Sequence, residues 1–148
     1  MERKIRNSAK ALIIKDGKML ASKINDNGDI FYIMPGGGQE SEETLEEAVR
    51  REVKEEFGLI VEPKTLEFVI EGVTGESFHR VDLVFLCEYI KEIPDAEITG
   101  DYNQIGFDWL PIENLMNEPL YPSKLRKQIM NLYNDEETVV YLGNESME

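Results

Sequence analysis

Residues 37–59 read GGQESEETLEEAVRREVKEEFGL. Gly37, Glu43, Arg51, Glu52, Glu55, Glu56 and Gly58 stand in it with the spacing G-x5-E-x7-R-E-x-x-E-E-x-G, and aliphatic Val53 and Leu59 follow Glu52 and Gly58. If a residue type occurs at about 7%, seven fixed types at seven fixed offsets arise by chance about once in 10⁸ windows. The stretch also predicts its own local structure. Thr44 and Glu47 stand three apart ahead of an apolar pattern, which is a capping box and starts a helix. The helix should run to the neighbourhood of Phe57 and stop on Gly58, a residue suited to the position just past a helix end.

At about 100° per residue, Leu45 and Val49 define the stripe of this helix that faces the core. One turn on, the stripe meets Glu52 and Glu56, with Glu55 on the adjoining edge. Three carboxylates should therefore converge at the C-terminal end of the helix, partly on its buried side. Like charges four apart repel, and negative charge there opposes the helix dipole. Stability alone would not select this arrangement. Bound Mg²⁺ or Mn²⁺ would, because hard cations take carboxylate oxygens and offset the repulsion. A solvated acidic face is the plainer reading, but the core-facing stripe and the preceding glycines argue against it. Gly36, Gly37 and Gly38 let backbone groups approach a metal or a phosphate closely.

The pattern resembles the Nudix box, found in enzymes that hydrolyse a nucleoside diphosphate linked to another group. The resemblance implies an α/β fold, the Nudix α/β/α sandwich with a mixed sheet, and Mg²⁺ or Mn²⁺ as cofactor. It implies that Arg51 orients a catalytic glutamate through a charge-assisted hydrogen bond and that Glu43 braces the loop. Glu52 is expected as general base or bridging ligand, so Glu52, Arg51 and Glu43 form the catalytic group. Glu52, Glu55 and Glu56 are the expected metal ligands, joined by a backbone carbonyl beside the box glycine, assigned to Gly37. Gly36 and Gly38 are expected to meet substrate through their backbone, Tyr32 by stacking on a base, and Arg80 by touching phosphate. Core packing for Tyr32 and a strand-end role for Arg80 are the alternatives. Family members often add a distant acid ahead of a Trp-containing strand. Here the positions five and six before Trp109 are Gln104 and Asn103, and Asp101 is the nearest acid.

Two functions follow. One is an active pyrophosphohydrolase acting on ADP-ribose, another nucleoside diphosphate sugar or a nucleoside triphosphate. The other is a Nudix-fold module that senses a nucleotide without cutting it. Retention of every box glutamate favours the enzyme.

The rest of the chain sets the context. Its 148 residues suit one domain spanning 1–148, and 41% hydrophobic with 31% charged residues is ordinary for a globular protein. Thirty acidic residues against 16 basic give a net charge of −14, which repels nucleic acid polymers and anionic membranes at long range. The expected substrate is a small nucleotide, whose phosphates then require cations. No apolar run approaches the roughly 18 residues of a membrane span. Lone Cys87 has no internal disulfide partner, and a reducing cytoplasm is the expected location.

Strands are expected at SAKALII (8–14), MLASKI (19–24), IFYIM (30–34), LEFVIEGV (66–73), HRVDLVFLCEY (79–89) and IGFDWL (105–110). Asp16-Gly17 signals a hairpin and NDNGD a loop. SKLRKQIMNLY (123–133) reads as an amphipathic helix with Leu125, Ile129 and Leu132 on one face. The apolar run in TVVYLG (138–143) should dock on the chain's own core or on a partner chain in a homodimer.

Overall fold

The computed structural model describes residues 3–100 and 103–146, so Asp101 lies outside the described residues. Strand β1 (Ile5–Lys15) returns through Asp16-Gly17 into β2 (Lys18–Asp26). The turn residues have φ of 52° and 75°, which matches the left-handed turn that two-residue hairpins favour. The expected NDNGD loop is a second such hairpin. β2 continues to Asp26 and β3 (Asp29–Ile33) starts at Asp29, leaving Asn27-Gly28 at φ 52° and 95° to make the turn. Next come β4 (Gly36–Gly38) and α1 (Leu45–Phe57).

β5 (Leu59–Gly72) begins well before the expected strand at residue 66. Pro63 hid this part, since proline breaks a ladder. The structure accommodates it at a register shift between Pro63 and Thr65. β6 (His79–Glu92) and β7 (Gln104–Pro111) lead into a 3₁₀ turn (Ile112–Asn117), β8 (Leu120–Tyr121), α2 (Lys124–Tyr133) and β9 (Tyr141–Asn144).

The strands form one curled mixed sheet in the order β8-β3-β2-β1-β6-β5-β9, with β4 on β1 and β7 on β2. β1 and β6 run parallel from Ile5↔His79 to Ile13↔Cys87. Side chains alternate across β1 and divide the core. Ala9, Ala11 and Ile13 pack with Ala48, Val49, Val53 and Phe57 of α1. Leu12 packs with Leu125 and Ile129 of α2. One helix thus covers each face, each fully buried Val, Leu, Ile or Phe side chain contributing about 1.5–3 kcal/mol.

The TVVYLG segment docks on its own chain. It forms β9 beside β5, the Val69 N–H donates to the Val140 carbonyl at 2.8 Å, and Leu142 packs on the α2 side of the core. No helix among the described residues is long and apolar enough to cross a membrane.

Candidate active site

Both ends of α1 are fixed by local chemistry. Thr44 Oγ1 accepts from the Glu47 N–H at 3.1 Å, and Glu47 Oε1 accepts from the Thr44 N–H at 3.0 Å. Gly58 ends the helix at φ 65°, donating to the Lys54 carbonyl at 2.9 Å. The buried arc is Ala48, Val49, Val53 and Phe57, rotated from the expected stripe because Leu45 is only partly covered. Glu52 and Glu56 fall within this arc, where the helix meets the glycine loop.

The loop tolerates only glycine at the closest approach. β4 lies antiparallel to β1 with Lys10↔Gly36, Ala9↔Gly37 and Ser8↔Gly38 opposed. Gly36 has φ of +128°, and a Cβ there would stand 2.1 Å from the Ala9 carbonyl oxygen. Gly36→Ala should therefore cost about 3 kcal/mol, a fall of roughly 6–12 °C in Tm. Thermal denaturation checks this, and an unchanged Tm would mean that the loop relaxes freely. A Cβ on Gly37 would sit 2.6 Å from Glu52 Oε2, so the missing side chain is what lets this carboxylate lie against the loop.

Arg51 ties the group together. Its Nε and Nη2 donate to Glu43 at 2.6 and 2.9 Å, a two-pronged pair. Nη2 also donates to the Gly38 carbonyl at 3.0 Å, and Nη1 donates to Glu52 at 3.0 Å and to Glu55 at 3.4 Å. Glu43 accepts a further bond from the Glu40 N–H at 3.0 Å. Its bonds from Arg51 lower the Glu43 carboxyl from the ordinary 4.5 to about 2. Because the folded value is depressed, this stabilisation is present above pH 4.5 and is lost as pH falls from 4.5 toward 2. Acid denaturation of Glu43→Gln should show a flatter loss of stability across that window than the parent. An equal slope in both proteins would remove the Glu43–Arg51 pair from the acid response.

Glu52 is drawn upward instead. Burial raises its carboxyl above the usual range, with Glu55 adding to the shift, while the Arg51 bond and the charge of Lys10 oppose it. Glu56 Oε1 accepts from the Gly36 N–H at 2.9 Å. The three acids share one end of the helix, with Glu52 and Glu55 both held by Arg51 and Glu56 by the Gly36 N–H. Among the described residues no three acidic, histidine or cysteine side chains gather into one metal-sized cluster. Arg51 reaches between Glu52 and Glu55 and supplies the positive charge there. The donor set still fits Mg²⁺ or Mn²⁺: hard carboxylate oxygens, one of them in a cradle that a side chain on Gly37 would fill.

Three expected roles change. The bonds Ala11 N–H to Pro35 O and Gln39 N–H to Asn7 O flank the Ala9–Gly37 pair, so alternation in the antiparallel ladder commits both backbone groups of Gly37 to Ala9. The backbone ligand assigned to Gly37 is thus turned toward β1, whereas Gly36 turns its N–H to α1. Gly38 spends its carbonyl on Arg51 and braces the helix. Tyr32 does not line the cleft beside the loop. Strand alternation turns Phe31 and Ile33 into it and Tyr32 away, where its hydroxyl donates to Asp108 at 2.6 Å. That bond and burial push the Tyr32 hydroxyl up to about 12.

The cleft has a volume of about 470 Å³. Gly36, Gly37 and Glu56 line it toward the helix, Lys10, Arg80 and Asp82 come from the sheet, and Asn103 borders it. Lys10 and Asp82 were absent from the expected site. Their signal was a charge inside an otherwise apolar strand, SAKALII and HRVDLVFLCEY.

The NUDIX domain family model matches residues 5–132. The chain belongs to this family. It is 31% identical over 122 residues to the nucleoside triphosphatase NudI of Escherichia coli, covering 74% of this chain and 84% of that one. It is 40% identical over 81 residues to an ADP-ribose pyrophosphatase of Methanocaldococcus jannaschii, covering 53% of this chain and 48% of that protein. A NUDIX hydrolase from Nitrosomonas europaea has the same fold, with a TM-score of 0.71 at 22% identity over 90% of each chain. The glycine loop, Arg51 and the α1 glutamates therefore belong to a Nudix hydrolase.

Proposed function

We propose that this chain hydrolyses a pyrophosphate bond in a nucleoside diphosphate linked to another group, with Mg²⁺ or Mn²⁺ as cofactor. The observation that supports this best is the packing of the Gly36–Gly38 loop against Glu52 and Glu56, with Arg51 bonded to Glu43, Glu52 and Glu55, at the edge of the cleft. Glu52, Glu55 and Glu56 would hold the cation, with the Gly36 backbone adjoining. When bound, it neutralises the diphosphate, polarises phosphorus and lowers the pKa of water. Glu52 takes the proton from the attacking water, and its burial beside Gly37 keeps its carboxylate a better proton acceptor than an exposed one. Arg51 orients that carboxylate and Glu43 orients Arg51. Lys10 brings positive charge to a cleft in a protein of net charge −14.

ADP-ribose, other nucleoside diphosphate sugars and nucleoside triphosphates are the substrate candidates. The relatives named above include a nucleoside triphosphatase and an ADP-ribose pyrophosphatase. Phosphate release from a panel of both groups, with and without Mg²⁺, tests the reading. Cleavage confined to non-nucleotide phosphates, or no cleavage with any cation, would overturn it.

A further inference from the structure

Arg80 and Asp82 stand two apart on β6, so they share the sheet face that lines the cleft, with Ser8 opposite Asp82 on β1. Both are almost wholly covered, at 7% and 2% exposure. The guanidinium is fixed from three directions. Nε donates to Asp82 Oδ2 at 2.9 Å, and Nη1 donates to the Glu76 carboxylate. Gly72 leaves the space it occupies, since a Cβ there would stand 2.7 Å from both Nη1 and Nη2. Two polar atoms of the pair remain without a hydrogen-bond partner among the described residues, the donor Arg80 Nη2 and the acceptor Asp82 Oδ1. Folded proteins leave few buried polar atoms unsatisfied, and those that remain call for an explanation.

We propose that the Arg80–Asp82 pair reads the hydrogen-bonding edge of the substrate's nucleobase. Nη2 donates to a ring nitrogen or carbonyl oxygen, and Oδ1 accepts from the neighbouring N–H. The inference rests on the nucleotide reading above. Each base carries an acceptor beside a donor on that edge, and enzymes read it by such bonds combined with aromatic contact. Phe31 and Phe78 supply aromatic walls in the same cleft. Phe31 is held edge-on by Tyr121 at 6.1 Å, and the Arg6 guanidinium lies 5.2 Å from the centre of the Phe78 ring.

A phosphate fits the pair poorly. Asp82 and Glu76 already offset the charge of Arg80, and Asp82 would repel a phosphate oxygen. This revises the phosphate contact expected of Arg80. β1 separates β6 from β4, so the pair and the Gly36 loop lie two strand spacings apart, about 10 Å. A base seated on the pair therefore leaves its phosphates pointing across β1 toward the loop. The open atoms are themselves covered, so contact with a base requires a side-chain rotation at the pair, of the kind that commonly accompanies binding.

Calorimetry on the whole chain in buffer containing Mg²⁺ tests this with AMP, GMP, CMP, UMP and ribose 5-phosphate, the last having the sugar and phosphate but no base. At least one nucleotide should bind about 10-fold or more tightly than ribose 5-phosphate, as expected for a site built to hydrogen-bond its ligand. Asp82→Asn, which replaces an acceptor-only group with an amide, should reorder the four bases by a similar factor. Equal binding of ribose 5-phosphate and the best nucleotide, or no binding of any of the five, would overturn the inference. So would an unchanged ranking in Asp82→Asn with a parental circular dichroism spectrum. If that variant does not fold, the comparison within the parent protein decides. Mg²⁺-dependent hydrolysis of nucleoside triphosphates is scored separately. Hydrolysis without base-selective binding removes this inference and leaves the hydrolase reading, and base-selective binding without hydrolysis does the reverse.

Discussion

Glu52→Gln is expected to lower kcat by about 10²- to 10⁴-fold, the usual cost of removing a general base, while Tm stays level or rises. The two halves of this expectation have separate causes. The carboxylate lies against Gly37, where Arg51 orients it, and an amide in its place keeps the shape and the acceptor for Arg51 but cannot take a proton. Stability moves the other way because burial raises the Glu52 carboxyl. A group whose folded pKa is raised stabilises the fold while protonated and loses that contribution as pH rises through the folded value. The ionised carboxylate carries a burial cost in the folded protein that it does not carry in the unfolded chain, and Gln relieves it. Steady-state kinetics with a calorimetric melt reads both effects. Near-normal kcat in Glu52→Gln would place the base elsewhere, with Asp101 the first residue to replace.

Glu56→Gln and Glu55→Gln should each lower activity by about 10²-fold or more, since the charge stabilisation a bound cation supplies is worth several kcal/mol. The fold should survive both changes. Glu56 accepts the Gly36 N–H, which an amide oxygen also accepts, and Glu55 is about half exposed, with 45% of its side chain open. Excess chelator should abolish activity in the parent protein, and added Mg²⁺ or Mn²⁺ should restore it. Full activity in chelator would sink the metal assignment, whatever the variants do. Arg51 makes the comparison informative. It already places a positive charge between Glu52 and Glu55, and an amide at either position removes negative charge rather than adding it, so a loss of activity reports a lost ligand and not repulsion.

Much of the fold was legible because its determinants are local. The capping box, the Gly58 stop and the Asp16-Gly17 turn each join residues within one helical turn or one hairpin. Their chemistry is complete in a few adjacent letters. The longer strands were legible by composition, except where Pro63 interrupted β5, whereas the short β4, β8 and β9 were not expected as strands. The NDNGD segment reads as a loop although Asn27-Gly28 is a strong hairpin signal, because the flanking polar residues Asn25, Asp26 and Asp29 hide the strand ends.

The candidate site divides along the same line. Sequence alone determined the glycine loop, the box glutamates and their arginine, since their spacing is fixed within one stretch. Which carboxylate meets which partner was decided by the tertiary structure. Gly37 admits Glu52 only because β4 lies on β1 and α1 packs across both. Gly36 approaches the Ala9 carbonyl because of that register, and Tyr32 turns from the cleft because β3 pairs with β2. The Arg80–Asp82 pair and Lys10 come from strands far apart in the chain, and the parallel pairing of β1 with β6 brings them to one face. Sequence spacing sets the direction of a side chain within its own helix or strand. What that side chain meets depends on contacts between distant segments, which form only when the sheet closes.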